Sequence, residues 1–500
     1  MAAESGSLAR RFSRGFAWNY LSRVVEFGLR FLFVSYVAAQ FGPASFGIYS
    51  FATSTAALAT LLAALGDEQA LNNFTPVLRD DPRALRWLLR RLLLRRSVLT
   101  GVVALVLLAA APLLVRFSGG SARAVPAALP YFIAFNLFNL LSYFLVGLLD
   151  LRPVALTRVL VQVLNLITAW WLFRRGSNPI TLLLLIGATT TLALGVLLVY
   201  LRSYLTGPGA HPGHGVDLAR INRFSLTLGA TNTVSYLLGQ QSDILLLGFL
   251  LGDETQIGLY NLAATLNLVV STGVLIGFEG VTQAALAERA QQGPSAVATV
   301  WEALMKITAL LTVPTLGLAI IVARPLLALY GPAYLPAVPL LQLYLGFSLV
   351  GRFFGGGVNT STLYALRQER FPLVVRVVSG LLNVALGIPL ILRFGAAGAI
   401  LATGLSSLVT VIPETILAVR VTEARYPTAF MLKVALAAAL GWGAAALVAG
   451  PGLVRLAGAG VAFALVLLLA LRWLKPLGPT ERALLERASL RLRLLVSHFG

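Results

Sequence analysis

The 500-residue chain contains no cysteine and only three histidines. Without thiols it can form no disulfide, no thiolate metal site and no cysteine nucleophile. The histidines, His211, His214 and His498, lie in a Gly/Pro-rich linker and in the C-terminal tail, outside the apolar part of the chain. A His-x-x-His pair in such a loop is usually solvated. The sequence therefore predicts no enzyme, no metal site and no cofactor.

Charged residues are also scarce. They make up 12% of the chain, whereas 58% of the residues are hydrophobic and the mean hydropathy is +0.84. A water-soluble fold cannot bury that much apolar surface, so most of the chain must be surrounded by lipid. Windows of about 20 residues predict an all-α polytopic membrane protein with about fourteen transmembrane helices. These begin near Arg14, Ser45, Arg91, Pro126, Val154, Ile180, Phe224, Gln256, Leu304, Ala337, Leu373, Ala396, Ala429 and Val454.

Acidic residues are few as well: 19 Asp and Glu stand against 39 Lys and Arg, which gives a formal net charge of +20. Most of the basic residues fall in connections on the side of the N-terminus, as the positive-inside rule describes. We therefore predict that both termini are cytoplasmic and that the basic residues meet anionic lipids, not nucleic acid. Residues 1–14 are polar and basic without a following small-residue cleavage site, so the first apolar stretch is expected to remain as helix one.

The connections on the opposite side are short, as in QFGPASFG, RRGSNP and GDETQ. Membrane glycosyltransferases and polysaccharide polymerases usually hold catalytic residues in sizeable external loops. No such loop is present, which argues against a polymerase. A transporter does not need one.

The longest inner connections are residues 67–90 and 202–223. In the first, Asp80 or Asp81 is predicted to cap a helix with Pro82 in its first turn. The basic amphipathic stretch that follows is predicted to lie on anionic lipid. The second connection is rich in Gly and Pro and is predicted to link two halves.

Two pairs of similar sequence segments, called repeated words below, indicate that the chain contains two related halves. FGIYSFATS (46–54) matches IGLYNLAAT (257–265), which places Gly47 with Gly258. RVLVQVLN (158–165) matches RVVSGLLN (376–383), in the same order. Because both copies begin on the same side, we predict two parallel, pseudo-symmetric six-helix lobes, about an axis along the membrane normal.

The predicted organisation has five parts. They are an N-terminal lobe with helices 1–6 (1–202), a cytoplasmic linker (203–223), a C-terminal lobe with helices 7–12 (224–420), helices 13–14 (421–475) and a basic amphipathic cytoplasmic tail (476–500).

Helix one carries a polar stripe inside an apolar stretch. At ~100° per residue, Asn19, Arg23, Glu26 and Arg30 project within an arc of about 60°. An isolated charge at bilayer depth costs about 2.5 to 3.5 kcal/mol, so water or a partner must meet the stripe. One alternative is an internal ladder, with Arg23 snorkelling to the cytoplasmic headgroups. The other is a cavity-facing stripe whose guanidinium groups bind a diphosphate.

Other polar residues lie in predicted spans. Arg352, in VGRFFGGGVN, is predicted as a further diphosphate ligand beside Arg23 and Arg30. Asp243 could pair with an arginine as a gate, bind a coupling cation or close a structural contact, and these alternatives stay open. Asn165 and Asn383 are predicted to form interhelical hydrogen bonds. The predicted cavity or gating residues are Asn19, Glu26, Gln240, Gln241, Asp243 and Glu279.

Three segments carry a family resemblance: FGPASFGIYSFATS with the following Leu65-Gly66 pair, SDILLLGFLLGDETQIGLYNLA with Asp243, and LNVALGIPLILRFGAAGAILAT. They resemble the polysaccharide-transport branch of the multidrug/oligosaccharidyl-lipid/polysaccharide (MOP) flippase superfamily, which includes O-antigen and related lipid-linked oligosaccharide flippases. The resemblance covers residues 12–420.

The resemblance implies a V-shaped pair of helix bundles in the bacterial cytoplasmic membrane. The implied activity is the transfer of a lipid diphosphate-linked glycan to the outer leaflet by alternating access, with polysaccharide-assembly proteins as expected partners. A cation-coupled drug exporter of the same superfamily is the main alternative, but it would be expected to expose unpaired carboxylates where this chain has deep arginines. A non-transporting membrane scaffold is a further alternative.

Overall fold

The computed structural model describes residues 2–176, 178–209, 218–237, 239–275 and 278–475. Side chains are described from Val24 onward, except within those ranges at 218, 227–228, 230–235, 237, 278–281 and 284. The described residues form helices joined by turns, with no strand among them. The chain divides into two compact units, residues 1–258 and 259–500.

The first unit contains nine helices and the start of a tenth within its described residues. They are α1 (Ala2–Ala64), α2 (Asp67–Phe74), α3 (Pro82–Ser118), α4 (Val125–Gly147), α5 (Leu151–Phe173), α6 (Pro179–Tyr200), α7 (Arg202–Leu205), α8 (Leu218–Leu237), α9 (Gln240–Leu251) and the start of α10 (Glu254–Gly273).

The second unit holds the rest of α10 and the later helices. They are α11 (Phe278–Ala290), α12 (Pro294–Ile321), α13 (Ala323–Ala328), α14 (Val338–Phe353), α15 (Gly357–Ala365), α16 (Arg370–Phe394), α17 (Ala396–Thr422), α18 (Thr428–Val448) and α19 (Leu453–Leu474). Short 3-10 turns at Gly119–Ala124 and Pro332–Ala337 precede α4 and α14.

Ten helical stretches in the described part of the chain are long and apolar enough to cross a membrane. Two of them, Val24–Ala64 and Pro82–Gly147, contain 41 and 66 residues, more than the ~20 residues that one crossing needs. Large apolar side chains also cover the surface, including Leu447 (90% exposed) and Val454 (86% exposed). This confirms a polytopic, helical membrane protein, while the count of about fourteen spans and the side of the termini stay predictions.

The long helix α1 changes direction at the first predicted outer connection. Gly42 there has φ 72° and ψ 172°, outside the helical region. That conformation favours glycine because a side chain at positive φ is strained. Pro43 follows directly and lacks a backbone N–H, so it suits the first turn of a new helical segment. The motif FGP therefore separates two predicted spans within α1.

The predicted cap of α3 is present. Asp81 is the N-cap residue, and its Oδ1 accepts hydrogen bonds from the backbone N–H groups of Arg83 (2.9 Å) and Ala84 (3.1 Å). Further along α3, Arg86 and Arg90 donate to the backbone carbonyl groups of Pro208 and Gly207. The basic face of α3 therefore holds the start of the predicted linker.

Buried ion pairs connect α2 to α3. Arg96 is fully buried and its Nη2 lies 2.7 Å from Glu68 Oε1. Beside it, Arg95 pairs with the buried carboxylate of Asp67 and also donates to Asn222 on α8. The surrounding core is apolar and comes largely from α2, α3, α4 and α6. These charges therefore interact in a region that contains little else to solvate them.

The two copies of the first repeated word meet at their matching glycines. A Cβ atom on Gly47 would overlap with the carbonyl oxygen of Glu254, and one on Gly258 would overlap with that of Pro43. Each Cβ would also lie 3.1 Å from the backbone nitrogen of the other glycine. Glu254 precedes Gly258 by four residues, as Pro43 precedes Gly47. The contact is therefore reciprocal, and only glycine fits on either side.

The two copies of the second repeated word form equivalent hydrogen bonds. Asn165 Oδ1 accepts a hydrogen bond from Thr189 on the next helix (2.5 Å), and Asn383 Oδ1 accepts one from Thr403 on the next helix (3.1 Å). Both asparagines are buried. This confirms that they form interhelical hydrogen bonds, which stabilise helix pairs where water is absent.

Candidate functional site

Glu26, in the polar stripe of helix one, lies near another helix of its own unit. Glu26 Oε2 lies 3.9 Å from Nη1 of Arg158 on α5, and both side chains are partly exposed. No ion pair joins Glu26 to Arg30 in the described part of the chain. The predicted internal ladder is therefore wrong for the pair Glu26–Arg30. The carboxylate of Glu26 points instead towards Arg158, which is far from it in the sequence.

Arg30 is exposed, and no carboxylate of a described residue lies within ion-pair distance of it. Its guanidinium acts electrostatically on the hydroxyl groups of Tyr49, on the same long helix, and Tyr131, on α4, both of which are partly buried. Tyr131 in turn stacks on Phe135, with ring centroids 5.2 Å apart. Arg30 is thus an exposed cation that influences two tyrosines and has no counter-charge among the described residues.

Three predicted site residues lie outside the described side chains: Arg23 and Asn19 on α1, and Glu279 on α11. Their assignments to the diphosphate or gating set stay predictions.

The predicted seventh span is divided into α8 and α9. Gly239, with φ −93° and ψ 156°, stands between them as the N-cap of α9. Gln240, Gln241 and Asp243 therefore lie together in the first turn of α9, with Asp243 buried. A carboxylate in the first turn is stabilised by the helix dipole. The break therefore places three of the predicted gating residues at the start of a helix.

Arg352 lies at the end of α14, in the second unit. Its Nη2 donates to the backbone carbonyl group of Ser271 on α10 (3.0 Å). The helix then breaks at Gly355 (φ 82°) and Gly356 (φ 45°) before α15 begins. A Cβ on Gly356 would lie 3.4 Å from Arg352 Nη1. The glycines predicted to permit close approach therefore leave room for the guanidinium.

Two charged residues of these helices were not predicted as site residues. Arg158 is the first residue of the repeated segment RVLVQVLN, of which only Asn165 was given a predicted role. Glu414 follows Pro413 in the apolar run of α17 and is 1% exposed. Glu414 could have been found from the sequence, because it is a carboxylate within an apolar run. Arg158 could not, because its pairing with Glu26 depends on tertiary packing.

Comparison with solved structures shows the fold. The lipid II flippase MurJ in an inward closed conformation is 15% identical, with a TM-score of 0.68 over 91% of this chain and 97% of that chain. An inward-facing multidrug resistance MATE family transporter of the MOP superfamily is 14% identical, with a TM-score of 0.58 over 81% and 94%. A MOP superfamily transporter from Pyrococcus furiosus, described by the reverse polarity of its binding pocket, is 14% identical, with a TM-score of 0.52 over 82% and 95%.

A search of curated proteins found no match. A family model described as polysaccharide biosynthesis protein matches residues 12–282. This match spans more than half of the chain and includes the first two segments that carried the sequence resemblance. The chain belongs to the family of polysaccharide biosynthesis proteins.

Proposed function

We propose that this protein flips a lipid (polyprenyl) diphosphate-linked oligosaccharide from the inner to the outer leaflet of the bacterial cytoplasmic membrane by alternating access, for surface polysaccharide or cell-envelope synthesis. The family supports a role in polysaccharide biosynthesis. The fold, which resembles a lipid II flippase, supports transport of a lipid-linked substrate. The observation that carries the proposal is the exposed Arg30, which has no carboxylate partner among the described residues.

The chemistry of Arg30 suits an anionic headgroup. An isolated charge at bilayer depth costs about 2.5 to 3.5 kcal/mol, and this cost is offset when water or a counter-ion meets the charge. A guanidinium remains charged and donates in a fork that matches phosphate oxygens. Arg30 also acts electrostatically on the hydroxyl groups of Tyr49 and Tyr131. In this proposal the diphosphate supplies a counter-charge that no described residue provides within ion-pair distance.

Arg352 is proposed as a further diphosphate ligand, and Arg23 stays in the set as predicted. The hydrogen bond from Arg352 to the Ser271 carbonyl fixes one side of the guanidinium. The glycine-rich break after α14 gives the surrounding backbone room to move. Each arginine would bind phosphate oxygens during the cycle, while Asp243 and its glutamine neighbours would serve in gating.

A cation-coupled exporter remains the second candidate, because the buried carboxylate of Asp243 is a feature that such a transporter would use. The similar fold of MATE family transporters fits this alternative as well. The two candidates differ in the charge of the substrate. An exporter would carry an organic cation, which Arg30, with no carboxylate partner among the described residues, would repel.

A flipping assay tests the role of Arg30. The purified protein is placed in vesicles with a dye-labelled polyprenyl-diphosphate oligosaccharide, and a membrane-impermeant quencher reports how much label reaches the outer leaflet. Arg30→Gln is expected to slow flipping about 10- to 100-fold, because a hydrogen bond to a charged group contributes about 1.5 to 3 kcal/mol. Arg30→Lys should retain more activity, since it keeps the charge without the fork.

Arg174→Gln is the matched control. Arg174 is an exposed arginine of the same unit, and it stacks over the ring of Trp170 at 4.1 Å. Its replacement should leave the rate unchanged. Equal flipping by the wild-type protein and the folded Arg30→Gln variant would contradict the site, and efflux of a cationic dye without glycan-lipid flipping would favour the exporter.

A further inference from the structure

Glu414 is a buried carboxylate that the proposed diphosphate site does not use. It lies on α17 and is 1% exposed. Its Oε2 accepts a hydrogen bond from the Thr360 hydroxyl on α15 (2.6 Å). Its Oε1 is also buried, and within the described chain no hydrogen-bond donor lies in reach of it. Oε2 of Glu414 therefore accepts a hydrogen bond, whereas Oε1, called the open oxygen below, has no hydrogen-bond partner among the described residues.

The polar groups at the break after α14, near Glu414, are paired. The break after α14 exposes the carbonyl oxygen of Phe354, which accepts hydrogen bonds from Asn359 Nδ2 (2.6 Å) and Thr415 Oγ1 (2.7 Å). Asn359 Oδ1 accepts from Trp301 Nε1 (2.8 Å). Every group of this small network has a partner. The unpaired Oε1 of Glu414 therefore lies beside a network whose own groups are paired.

Four helices pack against α17, and they bring few charges. Arg376 on α16 acts electrostatically on Glu414 but does not come within 4.0 Å of it as an ion pair. On α12, Lys306 pairs with Glu302 at 2.7 Å. On α14, Arg352 donates to a backbone carbonyl group. α15 contains no Lys, Arg, His, Asp or Glu.

Glu414 therefore has no close counter-charge within the described chain. A buried carboxylate without a paired cation is strongly unfavourable when ionised, and uptake of a proton removes the cost. Intramembrane carboxylates of transporters commonly carry protons for this reason.

Two hydroxyl groups continue from Glu414 along α17. Thr410 and Ser406 precede it by four and eight residues, so the three side chains follow one another along the same face of the helix. The Oγ atoms of both residues are buried and without a partner in the described chain. A hydroxyl group can both donate and accept a hydrogen bond. No hydrogen bond joins the three side chains in the described chain, so these hydroxyl groups would relay a proton to or from Glu414 through intervening water.

We infer that Glu414 is a proton-binding site of the transport cycle, with Thr410 and Ser406 as the adjoining hydroxyl groups of a proton path. A hard metal cation takes about six oxygen ligands, whereas the open oxygen here is one carboxylate atom beside hydroxyl groups. The inference rests on the proposed function only in that the protein is a transporter. It does not depend on which lipid-linked substrate is carried.

Infrared difference spectroscopy tests this site without a transport assay. The full-length protein in lipid nanodiscs is titrated from acid to alkaline pH, and the carbonyl stretch of protonated carboxyl groups is followed. A buried carbonyl band equivalent to one proton per chain should disappear with rising pH. Glu414→Gln should lack this band. Thr360→Val should shift its frequency, because the hydrogen bond to Oε2 is removed.

Glu302→Gln is the control, because it removes a carboxylate that already has Lys306 as its partner. It should leave the titrating band intact. If Glu414→Gln does not fold, Glu414→Asp provides the second variant and should move the titrating band. An unchanged band in a folded Glu414 variant, or a band that responds to sodium at constant pH, would overturn the inference. Failure of the Arg30 flipping assay would leave this result untouched.

Discussion

Valine in place of Gly47 is expected to abolish the accumulation of folded protein. Its Cβ would overlap with the carbonyl oxygen of Glu254, and the backbone nitrogen of Gly258 lies only 3.1 Å from the same position. Both obstacles are backbone atoms of a packed helix, so no side-chain rotation can relieve the clash. The helices would have to separate, at a cost above the ~1 to 3 kcal/mol usual for an overpacked core.

The yield of monodisperse protein in detergent and the thermal unfolding midpoint measure this effect. Gly28→Val is the matched control, because a Cβ on Gly28, also on α1, meets no described atom within 4 Å. Gly258→Val should be as harmful as Gly47→Val, since the contact is reciprocal. A Gly47→Val protein with the yield and unfolding midpoint of the wild type would show that this helix contact does not exist.

The second large effect is expected at the ion pair between α2 and α3. Glu68→Ala should lower the free energy of unfolding by about 3 to 5 kcal/mol, because it leaves the fully buried Arg96 without its counter-charge. Arg96→Met should cost less, since Glu68 keeps 16% of its side-chain surface exposed and can be hydrated. The double variant Glu68→Ala/Arg96→Met should recover much of the loss, because no unpaired buried charge remains.

Chemical unfolding followed by tryptophan fluorescence measures these differences. Glu302→Ala serves as the control, because its pair with Lys306 is an i,i+4 pair with the carboxylate side chain 39% exposed. Such surface pairs contribute about 0.3 to 0.5 kcal/mol. Equal losses in Glu68→Ala and Glu302→Ala would contradict the role given to burial.

Features set by neighbouring residues were predictable from the sequence. The N-cap at Asp81 depends on a carboxylate followed by proline, and both lie within one turn. The long apolar helices follow from hydropathy alone. The pairing of Gly47 with Gly258 also appeared in the sequence, as an alignment of two words. The spatial contact between those words could not be derived from the alignment.

The charged residues were harder to predict, because their environment depends on distant parts of the chain. Glu26 pairs with Arg158 on α5 instead of its helical neighbour, and only the packing of α1 against α5 decides this. The burial of Glu414 likewise depends on α15 and α16. The sequence shows that a charged residue lies in an apolar run, but it does not show which residues of other helices surround that charge.

The contact at Gly47 and Gly258 has the form of a two-fold interface inside one chain. In an isologous interface, residue i of one copy meets residue j of the other while j meets i. The contacts of Gly47 with Glu254 and of Gly258 with Pro43 have this form. In a true dimer one substitution would alter both sides of such a contact at once. Here the two glycines are encoded separately, so a substitution at either one disturbs the contact from one side only.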